Sequence, residues 1–330
     1  MKKNLYFPLL FSATGAALLL TALLALCFGS TPLSLTELLG GLFQREGYGI
    51  AAVILRSIRL PRLLGGLLAG AGLALSGSLL QHATDNALAA PGVLGINAGA
   101  GFFVIALLSV APNAFYLTPF AAFFGALLTA LVILGAASRM GLGKGTVVLC
   151  GVALSALFSA GISFFSVLDS DVLAAYTDFS VGGLRGVGYR DLALAAPILL
   201  AAIAGALLIA RRLHLFTLGD TLAASLGVRV RRVRLWALLL ACASAAAAVS
   251  FAGLLGFIGL IVPHAARRLC RAHTKAELIL SPMLGGTLLT LADLLGRVLF
   301  SPTEIPVGIF TALLGVPFFL YLLCRRGRYA

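Results

Sequence analysis

Charged side chains are scarce in this sequence of 330 residues. Lys, Arg, Asp and Glu together make up 11% of the chain, whereas soluble domains carry about 25%. This shortage excludes a soluble domain, and the high apolar content excludes a disordered chain or a collagen. If most of the chain crosses a membrane, the residues that remain are too few for a soluble catalytic domain.

Cysteine and histidine are also few. The five cysteines show no Cys-x-x-Cys spacing and mostly lie within or beside apolar runs, which excludes a disulfide scaffold and indicates small apolar side chains in a membrane. The four histidines are scattered along the sequence. We therefore expect no metal site in this chain.

The sequence also lacks the patterns of an enzyme. The nearest approach to a phosphate-binding loop, Gly141 to Thr146, does not have the four-residue gap between glycines that such a loop requires. No Ser/His/Asp or Cys/His arrangement has a supporting soluble framework. We therefore expect no catalytic residues, no bound nucleotide and no enzymatic activity.

Long apolar runs are what the chain does contain. Hydrophobic residues make up 61% of it, and its mean hydropathy is +1.08. A transmembrane helix needs about 20 apolar residues. Ten such stretches can be marked, at 6–28, 60–81, 92–111, 116–137, 147–168, 191–211, 234–252, 254–266, 278–299 and 307–324. We predict an all-α integral membrane protein in which one transmembrane domain, residues 1–330, has about ten transmembrane helices.

The first stretch and the basic residues fix the expected topology. The run at 6–28 is too long for a cleaved secretory signal and is predicted to remain as the first span. With both termini cytoplasmic, seven of the 24 Lys and Arg residues lie on the outer side, namely Arg45, Arg56, Arg59, Arg62, Arg185, Arg190 and Arg297. The other seventeen are cytoplasmic, as the positive-inside rule demands. The same rule explains the net charge of +13 without a nucleic-acid partner.

One carboxylate stands inside a predicted span. Asp293 precedes Arg297 by four residues, a spacing that brings two side chains together on one face of a helix. The structural interpretation is an internal ion pair between them. The alternative is a proton relay, as in an ATP-independent secondary transporter or channel, but such proteins normally carry several ionisable groups within their spans.

Two loops have unusual contents, and the pattern alone leaves two interpretations open for each. Residues 212–233 form the longest predicted cytoplasmic loop, and its segment 219–228 has helical patterning. That segment either docks into a partner or rests on lipid headgroups. Outside, Arg56, Arg59 and Arg62 either pair with carboxylates on a partner or extend toward the membrane interface.

Several ordered motifs are similar to those of one family. They are RLPR at 59–62, GSLLQ at 77–81, NALAAPGVLG at 86–95, GFIGLIVPH at 256–264, LAD at 291–293, EIPVG at 304–308 and TALLGVPFF at 311–319. Over about residues 55–325 the chain resembles the FecCD/BtuC-type permeases. That family supplies the membrane subunit of ATP-binding cassette (ABC) importers for iron-siderophore complexes, haem and vitamin B12.

The resemblance implies an assembly. It implies a BtuC-like type II ABC importer fold, multi-pass in the bacterial plasma (inner) membrane and in contact with membrane lipid. A homodimer, or a pair with a homologous permease, would enclose the pathway. Two cytoplasmic ABC ATPase subunits would bind ATP and Mg, and a periplasmic or lipid-anchored binding protein would deliver the cargo. A ferric siderophore is the expected cargo, with haem or cobalamin as alternatives.

The resemblance also implies site residues. ATPase coupling falls to Gly219, Asp220, Leu222, Ala223, Leu226, Gly227 and Val228; binding-protein docking to Arg56, Arg59 and Arg297; and the cytoplasmic gate to Asn86 and Leu88. The chain departs from the family at Ala87 and Ala90, which replace a proline and an acidic residue. Arg185 has no counterpart with a known role.

Overall fold

The computed structural model describes residues 6–29, 34–42, 49–140, 144–271, 273–301 and 303–326. These residues form fourteen α-helices, and no strand occurs among them. The long helices are α1 (Tyr6–Cys27), α4 (Leu60–Thr84), α6 (Thr118–Met140), α7 (Lys144–Leu168), α9 (Tyr189–His214), α11 (Val230–Ala252), α13 (Thr274–Val298) and α14 (Val307–Arg326). The shorter ones are α2 (Leu35–Leu42), α3 (Gly49–Val53), α5 (Ile96–Val110), α8 (Ser170–Val181), α10 (Asp220–Ser225) and α12 (Ile258–Leu269).

Helix α4 lies at the centre of the bundle. It packs against α13, α11, α12 and α9, and most of its residues are buried. Glycines allow this close approach: a Cβ at Gly70 would collide with the carbonyl group of Gly285, and a Cβ at Gly77 with that of Gly259. Between helices in lipid the hydrophobic effect gives no driving force, and association depends on the close van der Waals packing that small residues allow.

The outer helices present apolar surfaces. Seven helical segments among the described residues are long and apolar enough to cross a membrane, and two shorter apolar helices, within α5 and α14, accompany them. In α7 only a small part of the apolar surface is buried within the chain. An apolar face without protein cover suits lipid or a second subunit.

The predicted all-α membrane architecture is confirmed. Helix α1 corresponds to the predicted first span, and the seventh and eighth predicted spans are separate helices, α11 and α12. The backbone turns between them at Gly253 and Phe257, both with positive φ. The count of ten spans, the single domain over 1–330 and the cytoplasmic termini stay predictions, and residues 1–5 and 327–330 lie outside the described part of the chain.

Candidate functional site

At the end of the bundle predicted to be cytoplasmic, α10 lies on the surface between two glycines. Gly219 has φ 92 and ψ 157, a conformation essentially restricted to glycine, and Gly227 has φ 82. The one-turn helix buries Ala223 completely, whereas Leu222 and Leu226 are 56% and 61% exposed. All seven residues predicted to couple the ATPase therefore belong to one surface feature, the α10 segment, 219–228.

Arg234 connects the α10 segment to the interior. It is 7% exposed near the start of α11. Its Nη2 donates to both carboxylate oxygens of Asp220, at 2.7 and 2.8 Å, and its Nε donates to the carbonyl oxygen of Ala83 at 2.9 Å. The guanidinium also lies over the ring of Phe216, 5.5 Å from its centroid. The sequence pattern does not distinguish Arg234 from the neighbouring basic residues Arg231 and Arg232.

The predicted gate residues follow directly on α4. Asp85 ends this helix with φ 50, and the side-chain Oδ1 of Asn86 accepts a hydrogen bond from the backbone N–H of Leu88 at 3.0 Å. The backbone N–H of Ala89 donates to the carbonyl oxygen of Asn86 at 3.1 Å. This asparagine turn orders the chain locally although proline is absent at Ala87.

A second buried ionic cluster at the same end was not predicted. Glu277, in the first turn of α13, has no exposed surface. Its Oε2 lies 3.1 Å from Nε2 of His82 and 3.2 Å from Nε of Arg267. A carboxylate in the interior is stable only when it is paired. The pairing of Glu277 with His82 and Arg267 therefore ties α13 to α4 and α12. Glu277 precedes the predicted span 278–299 by one residue, so the hydropathy pattern alone predicts a loop position for it.

At the opposite end, two predicted docking arginines are buried. Arg59 is 4% exposed and Arg297 is 6% exposed. Arg59 Nη1 donates to the carbonyl oxygens of Leu26 and, at 2.8 Å, Cys27. Arg297 donates to those of Phe28 and Ala25, both at 3.4 Å.

These four carbonyl groups lie at or just after the end of α1, where no intrahelical donor remains. Cations at a helix C-terminus also meet the negative end of its dipole. Arg56, the third predicted docking residue, is partly exposed. Of the three predicted docking residues, therefore, Arg56 alone lies near the surface.

The expected contact of Asp293 with Arg297 is part of a larger network. Oδ2 of Asp293 lies 3.2 Å from Nε of Arg297. Arg62 also reaches Asp293, with 2.9 Å between Nη2 and Oδ1, and its Nη1 lies 2.8 Å from Oε2 of Glu304. Arg62 and Glu304 stand inside the RLPR and EIPVG motifs. A charge embedded in an apolar motif was the available signal for this network.

A cavity of about 330 Å³ opens beside this network. Its wall contains the charged side chains of Arg62, Glu304, Asp178 and Arg185. Arg185, which has no predicted role, therefore lines a polar cavity. Within the described ranges no group of three His, Cys, Asp or Glu side chains is arranged to hold a metal ion.

These features define a class of protein. Helices with apolar exteriors surround a buried central helix, paired charges gather at the two ends, and a one-turn helix with exposed leucines projects at one end. Such a molecule is a helical membrane protein whose exposed leucines suit contact with a protein partner.

Comparison with known proteins identifies a family of membrane transport proteins. The model of the FecCD transport family matches residues 17–325. The Fe(3+)-citrate import system permease protein YfmE of Bacillus subtilis is 40% identical over 277 residues, 83% of each chain. The Fe(3+) dicitrate transport system permease protein FecC of Escherichia coli is 36% identical over 326 residues, 97% of this chain and 98% of the relative.

A cobalamin permease and a solved structure extend the likeness. The cobalamin import system permease protein BtuC of Halobacterium salinarum is 38% identical over 277 residues, 84% of this chain and 74% of the relative. An ABC transporter of the metal-chelate type, in an inward-facing conformation, superposes with a TM-score of 0.86 at 28% identity, over 97% of this chain and 100% of that one.

The chain belongs to the FecCD transport family. The predicted BtuC-like fold is confirmed, and the protein is a multi-pass protein of the plasma membrane. It is a permease subunit of an ABC importer and therefore a transport subunit, not the ATPase.

Proposed function

We propose that this permease carries a ferric chelate, a ferric siderophore or ferric citrate, with haem and cobalamin as alternative cargoes. The observation that supports this choice is the 36% identity to a ferric dicitrate permease over nearly the whole of both chains. Relatives named for hemin and for cobalamin are each 38% identical over 277 residues, so haem and cobalamin remain the alternative cargoes. The cargo therefore has to be decided by transport measurements.

The α10 segment is the proposed contact with the ATPase. Leu222 and Leu226 are exposed although they are apolar, and exposed leucines on a short helix suit the groove of a protein partner. Two ATPase subunits would bind ATP and Mg. This chain contributes the docking helix and no catalytic group.

The pathway is proposed to lie between two permease subunits, either two copies of this chain or a pair with a homologue. The exposed apolar face of α7 supports such an arrangement, because large apolar faces mark contact surfaces. Asn86 and Leu88 are proposed to narrow the cytoplasmic mouth of the pathway.

Docking of the binding protein is proposed to involve Arg56. A guanidinium group pairs well with a partner's carboxylate, and Arg56 is the accessible member of the predicted set. Arg59 and Arg297 would have to release the carbonyl groups of α1 to reach a partner. In the proposal they support the docking surface from beneath.

An ATP-independent secondary transporter or channel is the competing function. It would need a carboxylate that is available to a transported ion or proton. Asp293 is engaged by Arg62 and Arg297 at 2.9 and 3.2 Å. Two guanidinium groups on one carboxylate make it a structural element rather than an ion site.

The test is reconstitution of this chain in liposomes with the ATPase and binding protein encoded beside it. Uptake of ⁵⁵Fe-citrate, a ferric hydroxamate, hemin and cobalamin is followed with and without ATP. We expect uptake of a ferric chelate only when ATP and binding protein are both present. Uptake by this chain alone would refute the importer and direct attention to Asp293.

A further inference from the structure

Arg234 joins two segments that are far apart in the sequence. Asp220 precedes it by 14 residues and Ala83 by 151. One guanidinium group binds both, so the start of α10 and the end of α4 are held at a fixed distance from each other. Arginine suits this arrangement because its donors form a rigid planar fork.

The position is costly for a charge. A buried guanidinium must be paired, and a well-packed apolar side chain in its place often gives equal or greater stability. Near the N-terminus of a helix a cation also meets an unfavourable helix dipole. Stability alone therefore does not explain an arginine at this site.

The Ala83 end of the link leads to the predicted gate. Ala83 lies in the last turn of α4, where carbonyl groups lack intrahelical donors. Asp85 then breaks the helix with φ 50, and Asn86 begins the turn that holds Leu88. A displacement of the Ala83 carbonyl group is thus passed to the gate within three residues.

The Asp220 end faces the surface that the proposed ATPase would occupy. The Asp220 side chain is 40% exposed, and it is the first residue of α10. The preceding Gly219, with φ 92 and ψ 157, has a backbone conformation essentially restricted to glycine. Movement of α10 therefore acts directly on the Asp220 carboxylate and, through it, on Arg234.

We propose that Arg234 is the positioning residue that couples the α10 segment to the cytoplasmic gate, by holding Asp220 and the Ala83 carbonyl group together. The inference rests on the proposed function. Coupling between two sites requires one element whose equilibrium both sites bias. In this molecule the end of α4 is that element, and Arg234 links it to the ATPase surface.

Four variants separate the parts of the link. Arg234→Lys keeps a cation that can pair with Asp220 but replaces the rigid planar fork, whose Nε and Nη2 bind separate partners, with one compact ammonium group. Arg234→Met removes both contacts while filling the volume. Asp220→Asn weakens the contact from the exposed side. Arg211→Met removes an exposed arginine from α9 and is the matched control.

Each complex is purified with its ATPase and binding protein, and ⁵⁵Fe-citrate uptake and ATP hydrolysis are measured in the same proteoliposomes. Whichever probe the wild type transports is used if it does not carry citrate. We expect Arg234→Lys to hydrolyse ATP within about twofold of wild type, and both Arg234→Lys and Asp220→Asn to import about tenfold less cargo per ATP hydrolysed, within the range of allosteric coupling. Arg211→Met should keep the wild-type ratio.

The outcomes distinguish the two proposals. A wild-type complex without ATP-dependent uptake of any of the four cargoes overturns the proposed function. Normal wild-type uptake with a wild-type ratio in Arg234→Lys overturns the coupling role alone. If Arg234→Lys does not assemble, Asp220→Asn decides, and a wild-type ratio in it rejects the link. A merely structural arginine would leave the ratio of cargo to ATP unchanged in Arg234→Met, whatever its thermal stability, and that result would also overturn the coupling role.

Discussion

Arg59 donates a hydrogen bond to the carbonyl oxygen of Cys27 at 2.8 Å. The resemblance to FecCD-type permeases had assigned this arginine to the docking of a binding protein. In the structure it satisfies the end of α1 and is almost fully buried. The pairing explains how a strongly basic sequence element can precede a membrane span on the outer side without facing water.

Replacement of Arg59 with leucine should destabilise the attachment of α1. Hydrogen bonds to a charged donor contribute roughly 1.5–3 kcal/mol each, so we expect the free energy of unfolding to fall by about 2 kcal/mol. Thermal unfolding in detergent and the rate of Cys27 labelling by a maleimide report the change. Arg190→Leu, at an exposed position of α9, is the control, and equal stability of the two variants would contradict the capping role.

Charge reversal at Arg56 should weaken binding of the binding protein. An accessible guanidinium attracts a partner's carboxylate most strongly when salt does not screen it. We expect Arg56→Glu to lower the affinity about tenfold at 20 mM salt, and by less at 500 mM salt, because the Debye length shrinks to roughly 4–5 Å. The affinity is measured on the transporter in nanodiscs. Arg190→Glu serves as the comparison, and an unchanged affinity at low salt removes Arg56 from the docking surface.

The exposed leucines of the α10 segment should determine how well the ATPase is retained. A charged side chain at Leu222 or Leu226 would be desolvated in a groove without a partner. We expect Leu222→Asp with Leu226→Asp to reduce co-purification of the ATPase more than tenfold, since apolar anchors at an interface contribute about 2 kcal/mol or more. Leu269→Asp places the same charge on an exposed leucine of α12. Equal ATPase retention in both proteins would argue against α10 as the contact.

The stability of the first turn of α2 should depend on pH. The backbone N–H and the hydroxyl group of Ser34 both donate to Glu37 Oε2 at 2.8 Å, and these bonds lower the pKa of the Glu37 carboxyl from its usual value of 4.5. A lowered pKa in the folded state stabilises the protein above the usual value, and this contribution is lost as pH falls through the folded pKa.

Hydrogen exchange tests this dependence. The Glu37 amide, which donates to the Ser34 hydroxyl oxygen at 3.2 Å, should lose protection as the pH falls below the usual carboxyl pKa of 4.5, after correction for the intrinsic exchange rate. In Glu37→Gln the protection should be lower at neutral pH and nearly independent of pH. A pH-dependent profile in that variant would assign the effect to another group.

The helices were largely predictable because a span is set by a local property. Runs of about 20 apolar residues identify helices wherever they occur, and the α10 segment was recognised from its flanking glycines and helical pattern. Helix α8 was missed, since its polar residues interrupt the hydropathy signal. Its start is fixed instead by Asp169, whose side chain accepts from the backbone N–H groups of Asp171 and Val172.

The partners of the charged residues were less predictable, because pairing depends on which helices become neighbours. Asp293 and Arg297 are four residues apart, so their contact followed from helix geometry alone. The contact of Arg62 with Asp293 spans 231 residues, and that of Arg234 with Ala83 spans 151. Which arginines are buried in such contacts and which, like Arg56, stay partly exposed depends on how whole helices pack, and this is not visible in the local sequence.

The two arginines that bind the end of α1 become available at different times during synthesis of the chain. Arg59 follows Cys27 by 32 residues, whereas Arg297 follows Phe28 by 269. At about 5–20 residues per second on the ribosome, the first donor arrives roughly 2–6 seconds after the helix and the second roughly 13–54 seconds after it. The nascent α1 is therefore anchored twice, first by Arg59, which soon follows it in the chain, and finally by Arg297 in the last turn of α13.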